Sequence, residues 1–449
     1  MKKILLSITV ALLSSVALLG QDINSILQDR LKAEPLGSSY SVAVVNETGT
    51  KFYNVGKTSK QADAKAVSEN TVYEIGSITK VFVGILFAEA VKRGEVKLDD
   101  PISKHLPENV VTPRLDGKEI TLLDLTTHHS SLPRLPGNFS PKTVENPYAD
   151  YTVKQMYEFL GQVKLSKEVG SEYAYSNLGV GLLGHILSLK AKMPFEDLVK
   201  ARILKPLEMN DTAIVLNQAM KANLALGHNE EGRQTTNWDL DALAAAGALR
   251  STASDMAKFI SANLGLTKTS LAASLAEAQV MRKSRERPTA KIGFGWHGDP
   301  LSSRMLLFHG GGTGGYVTFV ALDKEKKAGV FVATNSTAKS DDIGVHILEN
   351  NFPLRSIKQS ITLNEQTLEK YVGEYQLAPT FSIVITREGK QLFGQATGQP
   401  KFELFGEKED VFFLKAVEAQ VTFSKDESGK IMSLTLKQGG ADNLGRKIK

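Results

Sequence analysis

Residues 40–56, "YSVAVVNETGTKFYNVG", alternate apolar and polar positions around an Asn-Glu-Thr-Gly turn. That period of two predicts a β-hairpin. The run from Ser77 to Gly94 is different, apolar on nearly every side. It predicts a buried central helix with Ser77 at its N-cap and Gly94 just past its end. Between about residues 98 and 240 the pattern is helical segments separated by Pro and Gly loops, one of them beginning near Leu178. A further helix is expected from Ser254, and strand character returns at 291–296 and 304–309. Two apolar runs then flank a charged turn at Asp323–Lys327. A hairpin at the start, strands at the end and helices between predict an α+β domain whose two ends meet in one antiparallel sheet. Beyond about residue 360 short alternating runs recur with a turn signal roughly every ten residues, which predicts a separate small all-β barrel or sandwich.

The first residues, "MKKILLSITVALLSSVALLGQ", join a basic start to an apolar run and small residues. That is the pattern of a cleaved secretory leader, so residues 1–20 are expected to be a signal peptide and the mature chain to start near Gln21. The expected organisation is therefore leader, 22–355 α+β domain, 362–449 all-β domain, with a periplasmic or secreted destination and no membrane span after cleavage. The net charge of +5 includes Lys2 and Lys3, and no block of Lys and Arg carries interleaved aromatics, so a nucleic-acid partner is not expected. The chain has no cysteine, which removes thiol nucleophiles, Fe–S clusters and Cys-based zinc sites. No His-Glu-x-x-His occurs either, and no metal or other cofactor is expected. Oligomeric state is not legible in the pattern.

Three short motifs carry candidate chemistry. Ser77-x-x-Lys80 places a hydroxyl and an amine on one helical face, and a lysine kept from water can activate a serine. The spacing alone is common, and Ser336 to Lys339 repeats it without a buried helix behind it. Tyr175-x-Asn177 stands before a helix, where a phenol can move protons and a carboxamide can hold a substrate amide. "HGGGTGG", from His309 to Gly315, precedes a strand and has no Gly-Lys-Ser/Thr ending, so it does not fit a phosphate loop. Exposed backbone N–H groups there can serve a developing oxyanion, or the segment is simply a glycine-rich turn. His128 and His129, adjacent in the chain, read as loop or core histidines. No Gly-x-Ser-x-Gly elbow is present.

In order, Ser-x-x-Lys, Tyr-x-Asn 98 residues later and His-x-Gly 134 beyond that resemble the serine β-lactamase and penicillin-binding family. The tyrosine form is similar to class C β-lactamases and related DD-peptidases and esterases. The phrases "LLDLTTHHSSLP", "ILKPLEMNDT", "AGALRSTASDMAKF" and "GFGW" support the likeness, and the tail from "YVGEY" looks like the lipocalin-like β domain appended to such proteins. The resemblance implies that Ser77 forms an acyl-enzyme while Lys80 and Tyr175 move protons. It implies that Asn177 binds a substrate amide, that backbone N–H groups of Ser77 and Gly312 form an oxyanion hole beside Gly311, and that His309 faces a substrate carboxylate. Two positions depart from the family: Gly310 replaces a small hydroxyl residue and His309 replaces the commoner lysine. The implied substrates are a β-lactam first and a D-Ala-D-Ala peptide of peptidoglycan second. An ester or amide, or a penicillin sensor without turnover, follow.

Overall fold

The structure, a computed structural model, describes residues 23–301, 303–356, 360–414 and 419–449. The expected leader, 1–20, and the expected start near Gln21 lie outside the described residues. The chain divides after Arg355 into two compact units.

The first unit is built on one eight-stranded antiparallel sheet. Its order is Gly49–Gly56, Ser39–Asn46, Ala328–Thr334, Val317–Asp323, Arg304–Gly312, His297–Leu301, Lys291–Ile292, Lys283–Ser284. The expected meeting of the chain's two ends is seen at the pairing of Val42 with Val332. Alternation along the strands sends side chains to two separate cores. Tyr40, Val42, Val330 and Val332 face a smaller core with Leu27 and Ile343, under helices 23–33 and Asp341–Leu348. Ala43, Val45, Phe331 and Ala333 face the large core shared with the helical region.

Helix Thr79–Lys92 crosses that large core, and every residue from Thr79 to Ala90 is buried. Phe82 stacks on Phe259 at 4.4 Å between ring centres, and Phe87 meets Phe294 at 5.0 Å. A helix enclosed on all sides has no polar face to spare, which is why its sequence shows no stripe. Its end is as expected, with Gly94 at φ +69° just past Arg93. Its start is not. Ser77 lies inside a 3₁₀ turn, Gly76–Ile78, that leads into the helix, and no side chain caps it. The Ser77 hydroxyl faces the Lys80 amine instead of the backbone.

Other boundaries shift by small amounts. The helix expected from Ser254 is Ala253–Asn263 with Thr252 as its cap, and that expected near Leu178 is Asn177–Ala191, capped by Ser176. Strand 291–296 ends at Ile292, because Gly293–Trp296 turns under the Ser77 helix.

The second unit is a closed barrel of eight antiparallel strands, from Gly373–Ala378 to Ala441–Lys447. Closure leaves no free sheet edge. Its interior is filled by side chains, among them Tyr371, Tyr375, Leu392, Phe412, Phe423 and Leu434.

Candidate active site

Two backbone features bring the Ser77 turn against the glycine strand. Thr318 Oγ1 donates 3.0 Å to Ile75 O from the neighbouring strand. Gly311 lies between them, and a β-carbon there would stand 2.0 Å from Ile75 O, so the approach admits only glycine. One residue on, Gly312 meets Gly76. A β-carbon on Gly76, whose φ is +49°, would be 2.7 Å from the Gly312 nitrogen.

The glycine segment also has a free edge. Strand Arg304–Gly312 pairs on one side as far as Gly312 but on the other only as far as Phe308. Thr313 N donates to Tyr316 O across the hairpin, which makes Gly312 and Gly310 the positions whose peptide groups turn outward. The outward N–H of Gly312 thus stands beside the turn that carries Ser77.

Lys80 joins the motifs. Its Nζ lies 3.1 Å from Ser77 Oγ, 2.9 Å from Asn177 Oδ1 and 2.6 Å from Ala246 O. The side chain is buried, and burial first, then the nearby Arg134 charge, hold the amine well below the ordinary lysine range. A neutral amine has two N–H groups and one lone pair. Two of its neighbours, Asn177 Oδ1 and Ala246 O, can only accept, so the N–H groups go to them and the lone pair is left for Ser77. Tyr175 hydrogen-bonds Ser77, and burial pushes its hydroxyl up to about 12. It therefore stays protonated at neutral pH.

Tyr175 is seated by residues that sequence reasoning did not place in the site. His128, at φ +59°, stacks on the Tyr175 ring at 4.4 Å. Its Nδ1 accepts from Ser176 N at 3.1 Å, which leaves the proton on Nε2. The amides of Asn177 and Leu178 both donate to Arg134 O, and Ser176 Oγ donates to Pro133 O. The Arg134 guanidinium lies 5.0 Å from the centre of the Tyr175 ring. His297 stands 4.7 Å from His309, ring to ring. The one signal for His128 was "THHS" inside a quoted phrase; nothing in the local pattern marks His297 or Arg134.

His309 is buried, 6.4 Å from the Tyr175 ring. Its Nδ1–H donates 2.7 Å to Gly310 O. Burial above all lowers its pKa to about 3, so the ring is neutral. Nε2 of His128, His297 and His309 are all buried without a hydrogen-bond partner among the described residues. No group of three or more acidic or histidine side chains among those residues is arranged to hold a metal ion. A polar cleft of about 450 Å³ adjoins this cluster, lined by His129, Tyr173, Lys283 and Arg285 among others.

Comparison with known proteins bears on the family and the fold. Residues 29–348 match the profile of the Beta-lactamase family, and residues 358–445 that of a family described as a domain of unknown function (DUF3471). The chain is 28% identical over 306 residues to the D-alanyl-D-alanine-carboxypeptidase/endopeptidase AmpH of Escherichia coli (strain K12), across 65% of this chain and 78% of AmpH. It is 29% identical over 265 residues to a beta-lactamase of Providencia stuartii, across 58% of this chain and 64% of that protein. A class C beta-lactamase structure superposes with TM-score 0.65 at 22% identity, over 75% of this chain and 97% of its own. A beta-lactamase/D-alanine carboxypeptidase from Pseudomonas syringae does so with TM-score 0.65 at 21%, over 76% and 100%. At that identity the two structures speak to fold alone.

Proposed function

The chain belongs to the Beta-lactamase family, and on that footing we propose that it is a secreted serine hydrolase acting through a Ser77 acyl-enzyme, with β-lactam ring opening as its leading reaction. The observation that carries this reading is the 3.1 Å approach of the buried Lys80 amine, its pKa lowered by burial, to Ser77 Oγ. The Lys80 lone pair takes the serine proton as the oxygen attacks the carbonyl carbon. The oxyanion that forms is received by the N–H groups of Ser77 and Gly312, fixed in place before reaction. Tyr175, still protonated, gives its proton to the leaving nitrogen and regains one from Lys80, so the net result is an ester on Ser77 and a neutral amine that carries the serine's former proton. Water then attacks the ester, its proton drawn off by the same Tyr175–Lys80 pair; the bond from the acyl carbon to Ser77 Oγ breaks, and Ser77 regains that proton as the acid product leaves. Asn177, already holding Lys80, is placed to meet the acyl amide of the substrate. Secretion rests on the leader-like residues 1–20.

A D-alanyl-D-alanine peptidase activity is the second reading, supported by the similarity to AmpH across 78% of that protein. Both reactions form the same ester. Purified mature protein should take a fluorescent penicillin at Ser77, and Ser77→Ala should abolish that label. Persistent labelling of the variant would remove Ser77 from the mechanism. Turnover of a chromogenic cephalosporin against a D-Ala-D-Ala muropeptide then decides which reading holds.

A further inference from the structure

His309 is poorly suited to greet an anion. Its Nδ1–H is committed to Gly310 O, so Nε2 of the neutral ring offers a lone pair where a carboxylate would need a donor. Adding a second proton is opposed by burial first and by the nearby charge of Arg285. Arg134 has the opposite character. It is exposed, and its side chain has no hydrogen bond or ion pair among the described residues, only the face of Tyr175 at 5.0 Å. Other arginines of the same unit are occupied: Arg30 by Asp342, Arg250 by Glu74, Arg285 by Asp299 and Arg304 by Asp323. Nor is the Arg134 loop free to wander. Its carbonyl accepts from the amides of Asn177 at 2.9 Å and Leu178 at 3.2 Å, which ties it to the Tyr175 motif.

We propose that Arg134 is the specificity residue that receives a carboxylate of the substrate, in place of His309. A guanidinium resting on an aromatic ring is held in orientation while its edge N–H groups stay open, the geometry that takes a carboxylate in two parallel hydrogen bonds. The inference rests on the acyl-enzyme reading above. In both proposed substrate classes one carboxylate lies three bonds from the scissile carbonyl carbon, on the leaving side. A second can lie on the acyl side chain, toward Asn177. The shared chemistry is a carboxylate, and the two sources are separated by experiment.

The test measures kcat/KM for two matched pairs in whichever substrate class turns over. One pair differs only in the leaving-side carboxylate, free or methyl-esterified, and the other only in an acyl-side carboxylate, free or esterified. Wild type, Arg134→Gln and Arg134→Lys are compared in low and moderate salt. For the pair that carries the recognised group, Arg134→Gln should lower the acid-to-ester ratio by roughly tenfold or more, mainly through KM. Arg134→Lys should keep part of that preference, and added salt should weaken it in wild type. Ratios unchanged in Arg134→Gln for both pairs would overturn the assignment. If wild type took no fluorescent-penicillin label at Ser77 and turned over none of the four compounds, the acyl-enzyme reading itself would fall, which is a distinguishable result.

Discussion

A buried lysine with a lowered pKa makes a prediction about stability that is independent of any substrate. Unfolded, Lys80 titrates at its ordinary value of 10.5; folded, its pKa lies well below that. Between the two values the unfolded chain binds one more proton than the fold, so stability rises with pH across that interval, by about 1.4 kcal/mol per pH unit. Lys80→Met keeps the unbranched stem and removes the titration. It also strips Asn177 Oδ1 and Ala246 O of their donor, a cost of about 1–3 kcal/mol for each acceptor left unpaired. That cost does not vary with pH, so the offset and the slope separate. Urea unfolding followed by tryptophan fluorescence reads the relevant unit, because both tryptophans, Trp238 and Trp296, lie before residue 355. The variant should be less stable than wild type near pH 10. That gap should shrink by about 1.4 kcal/mol for each unit the pH is lowered toward the folded value. Tyrosines buried elsewhere, such as Tyr40 and Tyr73, titrate alike in both proteins and cancel in the difference. Parallel stability curves would mean that Lys80 is charged in the fold, and the proton path through its lone pair would be lost.

Two further outcomes test the surroundings of Ser77. Gly311→Ala would put a β-carbon 2.0 Å from Ile75 O and 2.3 Å from Thr318 Oγ1, so the Ser77 turn must move; kcat/KM should fall on the order of a hundredfold. Gly310→Ala, whose nearest contact would be 3.9 Å, serves as the tolerated control, and full activity of a folded Gly311→Ala would refute the packing argument. With a pKa near 3, His309 is neutral at every pH at which the enzyme would be assayed. The ascending limb of kcat/KM against pH should therefore report Lys80 and keep its midpoint in His309→Asn; a midpoint that moved by a full unit would return a titrating role to His309.

The sheet was legible because strands with two buried faces still alternate between two cores, as Val42 and Ala43 do. The Ser77 helix was legible from its unbroken apolar run, yet its first turn was not, because a 3₁₀ turn and a serine cap share the same local composition. Ser77, Lys80, Tyr175 and Asn177 could be picked out since each sits in a short motif with chemistry at fixed spacing, and one lysine amine joins three of them. His128, His297 and Arg134 had no such spacing. Their roles arise from loop-to-loop hydrogen bonds, such as Ser176 N to His128 Nδ1, that no local period encodes.

The same comparison explains why the charge of residue 309 had to be read from the fold. On sequence a histidine in the place of a lysine suggests a cation of lower pKa. In the structure the ring is enclosed, its one N–H is spent on the next carbonyl, and burial with the nearby Arg285 charge opposes a second proton. The site nevertheless holds two basic groups, Lys80 and Arg134, that have no acidic partner among the described residues. Lys80 is buried and neutral, fit to accept a proton; Arg134 is exposed and charged, fit to hold an anion. Tyr175 lies within 5.0 Å of both, at 4.9 Å from Lys80 Nζ. Burial is the main cause of the lowered Lys80 pKa and the Arg134 charge adds to it, so an anion held at Arg134 would offset that added field and raise the Lys80 pKa. Binding and base strength are thereby linked through one aromatic ring. Arg134→Gln should accordingly shift the ascending limb of the free enzyme to higher pH, while wild type assayed on a neutral ester keeps it low; a limb unmoved by the substitution would uncouple the two groups.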